Sequence, residues 1–172
     1  KLSLLPTNWA AAENYRDAFT KVPLLRYLLN GVIVTGGIFL LQLMVSLPCA
    51  YALAKLRFKG RDILFTMVLI GLMIPAQAPA IPRYVMLYQV GLLDTRTALI
   101  ATYTAINLPI VVWLTRDFFA GIPIDLEESA ELDGASKFRV FFTIALPLVR
   151  SGLVATFLLV LILAWNEYLL AL

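Results

Sequence analysis

The sequence predicts an all-α integral membrane protein with four membrane-spanning helices. Of its 172 residues, 61% are apolar and only 15% are charged, and the mean hydropathy is +0.86. A soluble globular domain carries about 25% charged residues. One transmembrane helix needs about 20 mainly apolar residues, so four spans joined by short loops account for about half of the chain.

Four apolar stretches are the predicted spans, A to D, and they lie at residues 28–54, 63–74, 97–115 and 152–172. Span A contains Pro48, which predicts a kink. Three prolines follow span B within eight residues and predict non-helical backbone there, ahead of an amphipathic stretch at residues 83–93. These are Pro75, Pro79 and Pro82. Such backbone at membrane depth must be buried in protein or line a water-filled cavity, so this segment is either part of a pathway or an external loop.

The positive charges orient the spans. Lys55, Arg57, Lys59 and Arg61 cluster between spans A and B, and Lys and Arg are enriched in cytoplasmic loops. This orientation also places residues 116–151, between spans C and D, in the cytoplasm. Residues 1–27 mix polar and aromatic side chains, which is typical of an extracytoplasmic or interfacial segment. The resulting bias is small, with eight Lys and Arg inside against six outside.

Composition also argues against several classes of protein. The chain has no histidine and a single cysteine, Cys49, so neither a zinc site nor a catalytic system based on histidine is expected. The net charge of +3 is spread between apolar runs, which does not build a face for nucleic acid. The first residues do not form a signal peptide, and we expect the natural chain to begin further upstream.

The loop between spans C and D carries six of the eleven acidic residues of the chain. Asp125 is predicted to cap a helix that follows Pro123, and Glu128, three residues later, completes a capping box. Gly134 is predicted to end this helix in a left-handed conformation. Ser136 then caps a second helix that runs to Pro147. From composition alone, the loop could also be a merely solvated acidic segment.

The spacing of small residues in this loop resembles a known motif. Glu128, Ser129 and Ala130 are followed after three residues by Gly134, and after nine more by Ile144, Ala145, Leu146 and Pro147. This pattern resembles the coupling motif of bacterial ABC importer permeases, which is Glu-Ala-Ala, three residues, Gly, nine residues, Ile-x-Leu-Pro. Every spacing agrees, and Ser129 replaces the first alanine.

Shorter segments extend the resemblance to the second permease subunit of maltose-type carbohydrate importers. They are Tyr-Ala-Leu-Ala-Lys at residues 51–55, Gly-Leu-Leu-Asp-Thr at 91–95, Asn-Leu-Pro at 107–109 and Trp-Asn-Glu-Tyr at 165–168. Members of that family typically have six spans, with the coupling loop between the fourth and fifth. The resemblance therefore implies that spans A to D are the second to fifth spans of one permease domain over residues 1–172, and that the first and last spans are absent.

The resemblance implies a mechanism shared among several subunits in the bacterial cytoplasmic (inner) membrane. A second permease subunit completes the pathway, two ABC ATPase subunits dock on the cytoplasmic loops, and an extracytoplasmic solute-binding protein delivers a sugar. ATP and Mg²⁺ belong to the ATPase subunits, and this chain has no phosphate-binding Gly-x4-Gly-Lys-Ser/Thr motif. It is therefore expected to be a transport subunit, not an enzyme, with no cofactor or metal of its own. The coupling residues implied are Glu127, Glu128, Ser129, Ala130, Glu131, Asp133, Gly134, Ile144, Leu146 and Pro147.

Polar residues in or beside the spans are candidates for the substrate pathway, because amides and aromatic rings can hold a sugar. They are Gln77, Tyr84, Tyr103, Asn107 and Asn166. Each could instead bond a neighbouring helix or anchor the chain at the interface. Three alternative functions stay open. The chain could be a permease for another polar solute, such as a glycerol phosphoester or a polyamine. It could also be a channel or secondary transporter, or a structural scaffold. A phosphoester would favour cations along the pathway, where only Arg83 is a candidate.

Overall fold

A computed structural model of the protein describes residues 11–21, 23–75 and 77–166. All regular structure in these ranges is helical. The helices are α1 (Ala11–Lys21), α2 (Leu24–Lys55), α3 (Arg61–Met73), α4 (Ala80–Gln89), α5 (Arg96–Ala120), α6 (Ile124–Leu132), α7 (Lys137–Val140), α8 (Leu146–Leu148) and α9 (Arg150–Trp165). A π-helical segment, Phe141–Ala145, joins α7 to α8.

The chain divides into two units, residues 1–33 and 34–172. In the described part of the first, α1 is polar, with an ion pair between Lys21 and Asp17 one turn apart. The assignment of residues 1–27 as an extracytoplasmic or interfacial segment stays a prediction, and residues 1–10 and 22 lie outside the described residues. α2 begins in the first unit and continues into the second, which also carries α3 to α9.

Two helices are long and apolar enough to cross a membrane by themselves, among the described residues. They are α2, with 32 residues, and α5, with 25 residues, and they correspond to the predicted spans A and C. The helical run Lys137–Leu148 and α9 form a pair bent by 78°, which counts as a third crossing if it is one span. α2 is a continuous helix that includes Pro48.

Span B is shorter than a full crossing. α3 has 13 residues, about 20 Å of helix against a hydrocarbon core of about 30 Å. The predicted break follows at Pro75, and a turn at residues 77–79 leads into α4. Pro82, however, lies in the first turn of α4, so the prediction that it interrupts helix is wrong. The first helical turn tolerates proline because its N–H groups have no partner within the helix.

Span D corresponds to α9, which begins at Arg150, two residues before its predicted start. It is described as far as Trp165. The predicted outer end of span D beyond Asn166, including Glu167 and Tyr168, lies outside the described residues.

The core of the second unit lies among α2, α5 and α9, with Phe141 from the π-helical segment. Ile38, Val112 and Phe119 are fully buried there, and the rings of Phe39 and Phe157 meet edge to face at 5.1 Å. Gly37 allows a close approach between α2 and α5, since a Cβ atom at this position would lie 2.5 Å from Cδ1 of Ile100. Small residues permit this kind of helix contact in membranes.

Candidate coupling loop

The loop between α5 and α9 begins with Pro123, whose extended backbone (φ −56°, ψ 133°) precedes the first turn of α6. α6 therefore starts at Ile124, and Asp125 lies inside the first turn with no side-chain cap bond. The predicted Asp125 cap and its capping box with Glu128 are wrong, because the extended residue that precedes the helix is the proline. A carboxylate in the first turn still favours the helix through its dipole.

α6 ends at the predicted glycine. Gly134 has φ +85°, and its N–H donates to the carbonyl of Glu131 at 2.9 Å. The N–H of Ala135 donates to the carbonyl of Ala130, also at 2.9 Å. These two bonds form a Schellman motif, which satisfies the last carbonyl groups of a helix and reverses the chain.

The second helix of the loop also starts where the sequence predicts. The Ser136 hydroxyl accepts a hydrogen bond from the N–H of Arg139 at 3.3 Å, and helical structure continues to Leu148. The π-helical segment interrupts the regular geometry and was not predicted. It carries Phe141, which is buried and lies 4.9 Å, between ring centroids, from Tyr51 of α2.

The motif residues divide between an inner and an outer side of α6. Glu127 is buried, with 4% of its surface exposed. Ala130, Glu131, Ile144 and Leu146 are half-buried, whereas Glu128, Ser129, Asp133, Gly134 and Pro147 are exposed. Residues 128, 129, 132 and 133 share one helix face by their spacing. We call Glu128, Ser129, Leu132 and Asp133 the outer face of α6.

Two exposed apolar side chains of the loop, one on this face and one on α7, were missed in the sequence. Leu132 is 89% exposed and Phe138 is 74% exposed. The sequence could have revealed them, because each is an apolar residue at a position that the helical periodicity assigns to the polar face. Large apolar side chains held in water beside acidic groups are typical of a protein interaction surface.

Glu127 lies on the inner side, where its carboxylate meets two groups from the end of α2. Its Oε1 lies 3.1 Å from Nζ of Lys55, an ion-pair distance without hydrogen-bond geometry. Its Oε2 accepts a hydrogen bond from the hydroxyl of Tyr51 at 3.0 Å. Lys55 also donates to the backbone carbonyl of Ile122 at 2.5 Å. Glu131 forms a separate, more exposed ion pair with Lys137.

The predicted pathway residues do not share one environment. Tyr103 and Asn107 are buried one turn apart on α5, with 6% and 7% of their surfaces exposed. Gln77, Tyr84 and Asn166 are exposed, and the Asn166 side chain donates to the carbonyl of Ile162 at 2.8 Å. A buried pair that sequence reasoning did not select is Gln42 and Ser46 of α2, whose side chains bond at 2.7 Å.

Among the described residues, no group of three or more His, Cys, Asp or Glu side chains is placed so that it could bind a metal ion.

Comparison with known proteins decides the family. Residues 42–172 match the family described as "Binding-protein-dependent transport system inner membrane component". The chain belongs to this family. Members of this family are permease subunits of the inner membrane. Membership confirms the predicted class of protein, a transport permease, its location in the inner membrane and its all-α membrane fold.

Relatives of this inner membrane component include several sugar permeases. It is 37% identical over 166 residues to the diacetylchitobiose uptake system permease protein of Streptomyces coelicolor, covering 96% of this chain and 55% of the relative. It is 34% identical over 160 residues to the trehalose transport system permease protein of Mycobacterium tuberculosis, covering 93% and 58%. The identity to the sulfoquinovosyl glycerol transport system permease protein of Agrobacterium fabrum is 32% over 176 residues, with 100% and 62% covered. The chain thus spans somewhat over half the length of these relatives.

A solved structure agrees with the family. The chain superposes with a TM-score of 0.73 and 29% identity on a chain from the crystal structure of a bacterial ABC transporter involved in the import of the acidic polysaccharide alginate. The match covers 83% of this chain and 49% of the other. The loop from Pro123 to Pro147 lies within the range that matches the family.

Proposed function

We propose that this chain is a permease subunit of an ATP-driven importer for a sugar or oligosaccharide, and that it engages the ATPase through residues 123–147. The observation that carries the proposal is the shape of that loop. α6 ends in a tight reversal at Gly134, and its outer face holds small, acidic and apolar side chains exposed to solvent. A surface of this kind suits a groove on a partner protein.

The chemistry of the outer face supports an ATPase partner with cations at the rim of its groove. Glu128 and Asp133 are exposed carboxylates, and Leu132 between them supplies an apolar contact. Ser129 keeps the contact shallow because its side chain is small. Rim charges of this kind mainly set specificity and the rate of association, while the apolar residue contributes most of the buried area.

The remaining partners follow from the family. A second permease subunit would complete the pathway, an extracytoplasmic solute-binding protein would deliver the sugar, and ATP with Mg²⁺ would bind to two ATPase subunits. This chain would bind neither nucleotide nor metal. We also propose that residues 1–27 are extracytoplasmic or interfacial, and that residues 116–151 form the cytoplasmic coupling region of a single permease domain.

The sugar class rests on relatives whose names cite diacetylchitobiose, trehalose and sulfoquinovosyl glycerol. The polar residues proposed for the pathway are the buried Tyr103 and Asn107 and the exposed Gln77, Tyr84 and Asn166. Amide and hydroxyl groups could bond sugar hydroxyls, and an aromatic ring could pack against a sugar face.

The test begins with the complete subunit, purified from its native membrane, and with mass spectrometry of the proteins that accompany it. We expect an ATPase, a second permease and a solute-binding protein. The complex, reconstituted in vesicles, should then take up a sugar from a panel of neutral and acidic oligosaccharides only when ATP is supplied. Recovery of the subunit alone, with solute flux in vesicles that lack ATP, would instead indicate a channel or a secondary transporter.

A further inference from the structure

α6 is not held in place by an apolar face. Glu127 is the only buried residue of this helix. Its large apolar residues Ile124, Leu126 and Leu132 are 48%, 46% and 89% exposed, and Ala130 is half-buried. Helices in proteins are usually fixed by burial of an apolar stripe. The one side chain that α6 inserts into the protein is therefore an ionisable one.

Lys55 is the cation that receives this side chain, and it joins three parts of the chain. It is the last residue of α2, its Nζ lies 3.1 Å from Oε1 of Glu127, and it donates to the carbonyl of Ile122 in the connection between α5 and α6. The side chains of Lys55 and Glu127 are only 8% and 6% exposed. One ammonium group thus fixes the end of a spanning helix, the start of the loop and α6 itself.

Tyr51 completes the cluster. Its hydroxyl donates to Oε2 of Glu127, and its ring packs edge-on against Phe119 with centroids 5.5 Å apart. The ring also packs against Phe141. Groups from α2 therefore meet the Glu127 carboxylate at both oxygens, and the Tyr51 ring that carries one of them packs against two further aromatic rings.

The energetics of such a pair favour a positioning role over a contribution to net stability. Desolvation of two charges offsets most of their attraction, so a buried ion pair stabilises a fold little compared with apolar residues of the same size. Loss of one partner alone, however, leaves a buried charge without compensation. The pair therefore allows essentially one placement of α6 against α2.

We infer that Lys55 and Glu127 are positioning residues that transmit a displacement of α6 directly to α2. The inference rests on the proposed function, in which the ATPase moves α6. Without the pair, α6 is connected to the spanning helices through the backbone of residues 121–123 and through its contacts with α7 and the π-helical segment. With the pair, displacement of α6 also moves the cytoplasmic end of α2.

The test uses the complete importer in vesicles and measures two quantities for each variant. One is the ratio of substrate-stimulated to basal ATP hydrolysis, and the other is the amount of ATPase that co-purifies. The single variants are Lys55→Met and Glu127→Gln, and the double variant Lys55→Glu with Glu127→Lys reverses the pair. The matched control is Asp62→Asn. It removes a carboxylate that pairs with Arg61 on the surface, where the Asp62 side chain is 89% exposed.

Each single variant should lower the stimulation ratio about tenfold, a typical size for coupling between sites, while the ATPase co-purifies as in the wild type. The reversed pair should recover part of the loss, and Asp62→Asn should behave as the wild type. Tyr51→Phe keeps the ring packing and removes only the hydroxyl. It therefore tests the inference even if a charge variant does not fold. It should lower the ratio by a smaller factor.

Three outcomes overturn the inference, and each identifies the step that fails. If the wild type is stimulated by substrate and the single variants are stimulated equally, Lys55 and Glu127 do not transmit the displacement. The same conclusion follows if the ATPase is lost from the single variants in proportion to activity, because the pair would then only maintain the docking surface. If the wild type itself shows no stimulation, the proposed function fails and the inference fails with it.

Discussion

The turn at Gly134 gives the sharpest prediction for the loop, because a second glycine provides its control. Gly134 and Gly60 both have left-handed backbone, with φ of +85° and +88°, and a Cβ atom added at either position would meet nothing within 4 Å. Alanine at these two positions therefore introduces the same backbone strain and no steric clash. Gly60 precedes α3, whereas Gly134 closes α6.

The strain has a known size. A non-glycine residue in left-handed conformation costs about 1 to 2 kcal/mol, which disfavours the closed turn relative to open forms by a factor of about 5 to 30. Opening the turn would break the Schellman bonds at Gly134 and Ala135. Substrate-stimulated ATP hydrolysis of Gly134→Ala should fall by up to this factor.

Two further substitutions at the same position separate shape from charge. Gly134→Asn should be milder than Gly134→Ala, since asparagine tolerates left-handed backbone. Gly134→Asp has nearly the same shape as Gly134→Asn but adds a negative charge at the C-terminal end of α6, where the dipole disfavours it by about 0.3 to 1 kcal/mol. It should lower stimulation below that of Gly134→Asn by a factor of about 2 to 5, while the subunit still inserts into the membrane.

The assay is stimulated ATP hydrolysis by the complete importer in vesicles, together with the thermal unfolding temperature of each variant in detergent. Gly134→Ala and Gly60→Ala should lower the unfolding temperature by similar amounts, and only Gly134→Ala should lose stimulation. Equal losses of stimulation in both variants would refute the reasoning, since the effect would then follow from general destabilisation and not from the shape of the loop.

Three other predictions follow from the described contacts. Glu128→Lys reverses a charge on the outer face of α6 and should reduce the ATPase recovered by co-purification; unchanged recovery would remove Glu128 from the interface. Gly37→Ala should lower the unfolding temperature because its Cβ would lie 2.5 Å from Cδ1 of Ile100, and Ile100→Val, which removes that atom, should restore part of the loss. Gly36→Ala is its control, with open space at the Cβ position and a gain in helix propensity of about 1 kcal/mol. Ser136→Ala removes the cap of α7 and should cost about 1 kcal/mol, seen as faster amide hydrogen exchange in the first turn of α7.

Sequence rules for helix ends predicted the loop well at positions where a single residue sets the backbone conformation. Gly134 ends a helix because it alone adopts the left-handed conformation without cost, and Ser136 starts one because its hydroxyl reaches an unpaired N–H. Both features depend on neighbours within four residues. The Asp125 cap failed at the same level of reasoning, because Pro123 supplies an extended residue earlier in the chain and the helix starts two positions before the predicted start.

Features that depend on distant parts of the chain could not be predicted in this way. The π-helical segment Phe141–Ala145 places Phe141 against Tyr51 and Phe119, which belong to α2 and α5. No local pattern in the segment encodes those partners. The pathway residues have the same difficulty, since an exposed Tyr84 and a buried Asn107 look alike as polar residues beside apolar runs.

The two neighbouring glutamates of the motif show how far the sequence argument extends. Successive residues of a helix are rotated by about 100°, so Glu127 and Glu128 point in different directions. The sequence alone gives no sign of which carboxylate faces the protein. Tyr51, 76 residues earlier in the chain, decides the question by bonding Glu127. Glu127 is buried against α2, and Glu128 is exposed, which is why we propose Glu128 as the carboxylate that meets a partner subunit.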